Sequence, residues 1–403
     1  WTQAPSASPL ETVVRQSPGS LLEQPILTTE ATGLESQPAG NANTRESPLT
    51  DQEIPAAAKE AIKDPNPLKR SLAFAKLLES MTPENAALIE EQLRELGAEG
   101  DQWRLFRYAW GAIDGEGALA SAANIENERS RSRAKSAAVS GWASANPTEA
   151  IAWMNAVEAG EDKDRLQEGL VSGLADNNIT TATNYVLKLA DEGNRRAADL
   201  LADVASEQLR NRGVDVSARW SEQLPDGPLK GAAMDRVANA YVDKDPAAAA
   251  AWAERYAETD YGARIIEEVG DEWAERQPAE AVSWLDTLPD GKGKQEGMES
   301  ALGEWARRDP TAASDYLTKM PDSSNKDAAI SGFVSRVAWE DPNAAIAWAE
   351  TIGQESQRTE ALIDAGRAFV RRDRDAAMAW LESSGLPAQA QEKVLESRRD
   401  RRG

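Results

Sequence analysis

Pairs of adjacent carboxylates are the side chains in this sequence with the clearest chemical potential. They occur at Glu90-Glu91, Glu267-Glu268 and Asp271-Glu272. Two carboxylates held at a suitable separation can hydrolyse a glycosidic bond without any histidine. The sequence contains neither His nor Cys. This excludes histidine acid–base catalysis, thiolate nucleophiles, disulfides and metal sites built from those residues.

The sequence carries none of the other motifs that would point to an enzyme. No phosphate-binding Gly-x-x-x-x-Gly-Lys-Ser/Thr loop occurs. The Asp-Gly pairs at 114–115, 226–227 and 290–291 lack the calcium-ligand series of an EF-hand and indicate turns. We therefore expect no catalytic, cofactor-binding or metal-binding residues. The alternative is a carbohydrate-active enzyme, an α/α-toroid glycosidase or lyase that uses Asp and Glu, but toroid active sites need long, dissimilar loops.

One recurring stretch must position any functional side chain, because it runs through most of the protein. Its form is Trp-x-x-x-(Asp/Asn)-Pro-x-x-Ala-x-x-Trp, and it is clearest at residues 273–284. Seven of the eight steps between successive copies are 32 residues, and the step from Leu174 to Leu209 is 35. With the first residue numbered zero, the copies begin at Trp110, Trp142, Leu174, Leu209, Tyr241, Trp273, Trp305, Val337 and Phe369.

Each copy predicts two helices, A and B, joined by a short turn. Asp or Asn at +4 followed by Pro at +5 is typical of a helix N-cap and first helical residue, and the Pro forces the preceding helix to stop. Small residues at +8, aromatic residues at +11 and apolar residues at +15 share one face of helix B. The phase of the tryptophans at zero and +11 predicts a structural core rather than ligand stacking. This core comprises Trp142, Trp153, Trp252, Trp273, Trp284, Trp305, Trp348 and Trp380.

These patterns predict an all-α fold, a right-handed α-solenoid of about nine antiparallel helix pairs with an extended N-terminal arm. Stacking would bury apolar faces that single pairs cannot close. Residues 1–50 form the low-complexity arm or linker, residues 51–109 an N-terminal helical cap, residues 110–387 the repeats, and residues 388–403 a C-terminal capping helix with a basic tail. Further helices are predicted at 51–63, 68–81, 83–96 and 389–400.

The helix-hairpin array resembles tetratricopeptide and Sel1-like α-solenoids in architecture over roughly residues 100–400. Its 32-residue Trp-(Asp/Asn)-Pro-Ala-Trp unit departs from the 34-residue tetratricopeptide pattern. It is more similar to the Trp- and Asp-Pro-containing repeats of large exported proteins from planctomycete- and verrucomicrobium-like bacteria. This resemblance implies protein–protein scaffolding, and an extracytoplasmic location, periplasmic or secreted, is favoured over the cytoplasm. No catalytic residue can be carried over from it.

The acidity of the chain limits its partners. The formal net charge is −23 and the isoelectric point is near 4.6. Nucleic acids and anionic lipids need basic surfaces, so neither is an expected partner. No segment is long and apolar enough to span a membrane, so any membrane association would need a partner or a separate anchor. The expected partner is another protein, within a multi-subunit assembly. The function expected is a non-catalytic scaffold or accessory subunit of a larger complex.

The arm offers short apolar clusters between prolines. Such segments lack the apolar surface to fold alone and bind by wrapping along a partner. We expect the partner-binding residues Trp1, Leu21, Leu22, Ile26 and Leu27. A passive linker is the competing interpretation of the same stretch.

Overall fold

A computed structural model describes residues 48–158 and 160–396, and over these residues the protein is all-α, with 22 helices and no strand. The first three helices precede the repeats. They are α1 (Ile54–Lys63), α2 (Pro67–Glu79) and α3 (Ala86–Glu95). One helix follows the repeats, α22 (Ala388–Leu395).

Between these ends lie nine helix pairs whose turns coincide with the nine copies of the sequence motif. The A helices are α4 (Gly100–Ile113), α6 (Glu128–Ala145), α8 (Glu161–Asn177), α10 (Ala197–Arg212), α12 (Pro228–Lys244), α14 (Gly262–Ala274), α16 (Lys292–Arg308), α18 (Ser324–Val337) and α20 (Glu355–Arg372). The B helices are α5 (Gly115–Ala123), α7 (Pro147–Ala156), α9 (Ile179–Asp191), α11 (Val214–Glu222), α13 (Pro246–Glu254), α15 (Pro278–Thr287), α17 (Pro310–Lys319), α19 (Pro342–Ala349) and α21 (Arg374–Ser383).

The helix predicted at residues 83–96 begins three residues late, at Ala86. The Thr82 main-chain N–H donates to the Asn85 side chain, and the Asn85 N–H donates to the Thr82 hydroxyl. This reciprocal pair holds residues 82–85 as a turn. The C-terminal helix ends at Leu395 in the described range, and residues 397–403 of the predicted basic tail lie outside it.

In seven of the nine units a single residue makes the turn between helix A and helix B; in units six and eight the turn has three and four residues. In unit two, the Asn146 N–H donates to the carbonyl of Trp142 and closes helix A, while the Asn146 side chain accepts from Glu149 N and caps helix B. The side-chain caps predicted at +4 are confirmed in all seven copies that carry Asp or Asn. The seven residues are Asp114, Asn146, Asn178, Asp245, Asp309, Asp341 and Asp373.

Every extensive contact joins helices that are next, or next but one, along the chain. Each A helix packs on its own B helix and on the A helix of the following unit, and each B helix packs on the next A helix. The small residue at +8 lies at the centre of this packing. Ser217 and all eight alanines at this position are at most 1% exposed, which lets the backbones approach.

The aromatic rings lie around that centre. Trp142, Trp252 and Trp284 are buried, whereas Trp153, Trp273, Trp305, Trp348 and Trp380 are only half-buried. Rings at zero and +11 of one unit meet at centroid distances of 5.4 to 6.4 Å in five units. Such tilted pairs add to the energy of area burial. The rings therefore form an aromatic rim around the turn end of the helix pairs. Alanine and aliphatic side chains fill the interior.

Neighbouring A helices come closest where one of them carries glycine. A Cβ atom added to Gly141 of α6 would lie 1.8 Å from the carbonyl oxygen of Tyr108 in α4. A Cβ added to Gly332 of α18 would lie 1.8 Å from the carbonyl oxygen of Glu299 in α16. Any larger residue at these positions must push the two helices apart.

Replacement of Trp284 tests the aromatic rim. This side chain is 8% exposed, lies 6.0 Å from the Trp273 ring, and donates from Nε1 to Glu254 Oε1 at 2.9 Å. We expect Trp284→Ala to cost about 3–5 kcal/mol in denaturant unfolding. Trp339, which is 58% exposed, is the control, and Trp339→Ala should change stability by less than about 1 kcal/mol. Equal losses would show that the two rings have equivalent roles.

Replacement of Gly332 tests the helix approach. Gly332→Ala should lower the free energy of unfolding by about 1–3 kcal/mol, because the new methyl group meets main-chain oxygen. Gly100→Ala is the control, since nothing lies within 4 Å of its added Cβ. Alanine is the better helix former, so this control should be neutral or slightly stabilising. Wild-type stability of Gly332→Ala would mean that α16 and α18 are less close than described.

Candidate protein-binding face

A row of carboxylates crosses five successive A helices. Position −6, six residues before the start of each copy, is acidic in units three to seven. Because these A helices stack one on the next, equivalent positions on them lie side by side. We call these five residues the acidic row: Glu168, Asp203, Asp235, Glu267 and Glu299.

Partial desolvation by the packed helices is the main electrostatic effect on the row. It raises the pKa of the carboxyl groups of Asp203, Asp235, Glu267 and Glu299 above their ordinary values. Neighbouring members add repulsion: Glu168 raises the pKa of Asp203, Asp235 that of Glu267, and Glu267 that of Glu299. The row is therefore a set of like charges held together at an energetic cost.

Two members of the row have cationic partners and three do not. Arg196 forms an ion pair with Glu168, and Arg264 lies 2.8 Å from Asp235. Among the described residues, Asp203, Glu267 and Glu299 have no ion-pair partner. Further carboxylates on α14 enlarge the negative surface, because Glu268, Asp271 and Glu272 also have pKa values raised, chiefly by burial.

The sequence analysis missed a row of cations eleven residues before position zero. These side chains reach back to the end of the preceding B helix, as when Lys163 Nζ donates to Val157 O at 2.8 Å and Arg358 Nη1 to Ile352 O at 2.7 Å. Such bonds satisfy the free carbonyls of a helix end and favour its dipole. Lys326 instead bonds the Asp322 carboxylate. The position is occupied by Arg131, Lys163, Lys230, Lys294, Lys326 and Arg358.

A second row of donors, at +3, ties the A–B turn to the previous one in five units. Asn177 Nδ2 donates to Ser144 O at 2.8 Å, and Lys244 Nζ lies 2.7 Å from Asp215 Oδ2. Arg276, Arg308 and Arg372 make the corresponding bonds in later units. Both rows recur at the 32-residue spacing, and that periodicity could have revealed them. The cations of these two rows are thus used at the two edges of the array and do not neutralise the acidic row.

Two of the indole groups at +11 donate to carboxylates of the preceding unit. Trp252 Nε1 donates to Glu222 Oε1 at 2.8 Å, and Trp284 makes the same bond to Glu254 of the preceding unit. Each acceptor lies two residues after the aromatic position of its own B helix. These bonds orient the rings and link successive units.

The carboxylate pairs considered for catalysis fall into two environments. Glu90 is buried between Arg107, at 2.7 Å, and the Ser121 hydroxyl, at 2.5 Å. Arg107 is itself only 2% exposed, so this buried pair joins α3 to α4 and α5, the first helix pair of the repeats. The pairs on α14 belong to the acidic face. Over the described residues, no group of three or more acidic side chains is arranged to hold a metal ion.

A shallow groove of about 600 Å³ lies between the first turns of α19 and α21. Phe369 and Trp380 line it on the apolar side. Arg372 in the groove donates to the main-chain oxygen of Glu340, and Asp341 and Asp373 cap their helices. The groove therefore lies along the A–B turns, a feature that all units have in common.

Comparison with known protein families, characterised proteins and solved structures gave no match. No helix in residues 48–158 and 160–396 combines the length and apolar composition that a bilayer crossing requires. The partner-binding residues predicted in the arm, Trp1, Leu21, Leu22, Ile26 and Leu27, lie outside the described residues.

The raised pKa values predict how stability depends on pH. A carboxyl group whose pKa is higher in the folded than in the unfolded state binds protons more tightly when folded, so unfolding becomes harder as pH falls through the raised value. Lowering the pH from 7 towards the ordinary pKa range of Asp and Glu should therefore raise the melting temperature, by roughly 1–2 °C for each 1 kcal/mol gained in a chain of this size. Groups with lowered pKa, such as Asp226 and Asp322 beside Lys230 and Lys326, act only below the ordinary range of Asp.

A matched pair of variants checks that the acidic row causes this rise. Asp203→Asn/Glu267→Gln/Glu299→Gln should reduce it. The same number of neutralisations on exposed B-helix positions, Glu149→Gln/Glu280→Gln/Asp315→Asn, should leave it unchanged. An unaltered rise in the first variant would assign the effect to other groups.

Proposed function

We propose that this protein is a non-catalytic scaffold, an α-solenoid that holds a cationic segment of another protein along the exposed face of its A helices. The proposed solenoid is right-handed, like the tetratricopeptide and Sel1-like arrays that the sequence resembles. The proposed role is that of an accessory subunit in a larger assembly.

The contact pattern supports the solenoid. Helices that pack only on near neighbours in the chain build an array that lengthens with each unit, rather than a globule closed on one core. The A helices contact one another from α4 to α20, so their exposed faces form one continuous surface. A surface of this kind presents many equivalent positions to an extended partner.

The acidic row is the observation that carries the choice of face and of partner chemistry. It offers one carboxylate per unit at the same helical position through five units. Three of its carboxylates, those of Asp203, Glu267 and Glu299, have no ion-pair partner within the described chain. A partner with spaced Lys or Arg side chains would neutralise them and relieve their mutual repulsion. Complementary charge also speeds association.

Binding of a lysine-rich peptide to two variants of equal charge tests the proposal. The first neutralises the row, as Glu168→Gln/Asp203→Asn/Asp235→Asn/Glu267→Gln/Glu299→Gln. The second neutralises five exposed B-helix carboxylates, as Glu149→Gln/Asp191→Asn/Glu280→Gln/Asp315→Asn/Glu382→Gln. Calorimetry with a 24-residue Lys/Ala peptide, at 50 and 150 mM NaCl, should show at least a tenfold weaker Kd for the first variant and near wild-type Kd for the second.

Two outcomes would contradict the proposal. Equal weakening in both variants would show that net charge, not the A-helix face, attracts the peptide. Turnover of a glycan or glycoside from a screening panel, abolished by a single Asp or Glu substitution, would favour the α/α-toroid enzyme instead. Both variants should first be shown to retain wild-type helical content by circular dichroism.

A further inference from the structure

The outer face of α2 carries the two most exposed large apolar side chains in residues 48–158 and 160–396. Leu68 is 80% exposed and Leu72 is 61% exposed. They lie four residues apart and so share one face of the helix, and the exposed Ala75 extends that face by one turn. We call these three residues the α2 patch. Phe74 and Leu77, on the opposite face, are buried in the core, so α2 is apolar on both sides.

The position of α2 makes this patch unusual. Its extensive contacts are with α1 alone, whereas the inner A helices pack between neighbours on both sides. A terminal helix of a repeat array needs a polar outer face to keep the array soluble. The last helix, α22, largely has one, because Gln389, Glu392 and Lys393 are exposed there beside a single exposed leucine, Leu395. The exposed apolar surface of α2 is instead contiguous, which is typical of a contact site.

Unpaired cations border the α2 patch. Lys69 lies three residues before Leu72 and Lys76 four residues after it, so both lie beside the patch, and both are exposed. Neither forms an ion pair within the described chain. Residues 54–79 hold five basic and three acidic side chains, a local charge of +2 against the net −23 of the whole chain. Glu79, the one acidic residue of α2, lies beyond the patch at the C-terminal end of the helix.

We propose that the α2 patch is a docking site for an amphipathic helix of a partner protein, which packs apolar side chains on the patch and places carboxylates opposite Lys69 and Lys76. The docked helix continues the stack, contacting α2 as α2 contacts α1. The lysines set the charge of the partner, because an unpaired cation beside an interface favours an acidic residue opposite it and disfavours a basic one. A lipid surface also suits leucines and lysines, but the net charge of −23 opposes approach to anionic lipid.

This docking site is independent of the acidic row and of the function proposed for it. It lies on a helix that precedes the repeats, carries the opposite charge, and therefore suits a partner of the opposite kind. The patch runs over residues 68–75, which is about 10 Å of helix, so about two turns of a partner helix cover it. A contact of this size belongs to the weak class of interfaces. We expect a Kd of about 10–100 μM for an isolated helix.

Two probe peptides test the site. Both are 18-residue alanine-based helices with a leucine stripe at three- and four-residue spacing. The acidic probe carries four Glu beside the stripe, and the neutral probe carries Gln in their place. Binding to the full chain would be followed by fluorescence anisotropy at 150 mM NaCl, where the screening length of about 8 Å suppresses the field of distant acidic faces. The acidic probe should bind at least fivefold more tightly than the neutral probe, and 500 mM NaCl should narrow the difference.

Substitution of the leucines tests the apolar contact. Leu68→Ser/Leu72→Ser should weaken binding of both probes at least tenfold, because the apolar surface that the probe covers is lost. The matched control, Leu105→Ser/Leu395→Ser, removes two exposed leucines from α4 and α22. Binding of both probes to this control should stay within about twofold of wild type.

Substitution of the lysines separates charge from apolar contact. Lys69→Gln/Lys76→Gln should weaken the acidic probe about three- to tenfold and leave the neutral probe unchanged, because only the acidic probe has carboxylates to pair with them. Lys319→Gln/Lys393→Gln, at exposed lysines of α17 and α22, is the matched control and should leave both probes unchanged. All the substituted side chains are exposed, so circular dichroism should show wild-type helical content.

Absence of binding by the acidic probe at 1 mM, equal losses in the patch and control variants, or equal binding of the two probes would overturn the proposal. Sedimentation velocity of the wild-type chain at 5–200 μM tests a second copy as the occupant. A dimer that Leu68→Ser/Leu72→Ser abolishes would assign the patch to self-association instead. Flotation with phosphatidylglycerol vesicles, lost in the same variant, would assign it to a lipid surface. A monomer that does not bind vesicles and binds the acidic probe through α2 supports the partner helix.

Discussion

The array depends on the residue at +4, which is Asp or Asn in seven of the nine units and serves both helices of its pair. Its N–H completes the last turn of helix A and its side chain begins helix B. Because a single residue separates the two helices in seven of the nine units, the turn there leaves helix B little freedom in direction. The alanine at +8 and the ring at +11 are then brought opposite helix A within the next two turns. Units with Gly213 or Gln277 at +4 keep the turn without the side-chain cap.

How much of the structure could be predicted from the sequence depends on how far apart in the chain the interacting residues lie. The caps at +4, as at Asp341, and the buried alanine at +8 depend on residues three or four apart, and a single copy suffices to predict them. The rows at −11 and +3, such as Lys163 and Asn177, act between helices or between units. Only comparison of copies at 32-residue spacing exposes them. The late start of α3 depends on a side-chain pair, Thr82 and Asn85, that competes with helix formation.

The acidic row could be found in the sequence as a periodic position, but its significance could not. Glu267 and Glu299 are ordinary exposed glutamates when each helix is considered alone. They repel each other because their A helices stack, and the stacking order is visible only in the three-dimensional contacts. The half-buried tryptophans have the same origin. Helical phase places Trp305 on the packed face, but only the assembled pair shows that the ring lies at its rim.

The restriction of contacts to neighbouring helices has a consequence for synthesis on the ribosome. Each unit needs only the unit before it and the A helix after it to bury its apolar face. The chain can therefore fold vectorially, unit by unit, as it emerges from the exit tunnel. At any moment only the newest pair exposes an unfinished surface. During synthesis, a protein of 403 residues would then expose about as much unfinished apolar surface as a much shorter protein does.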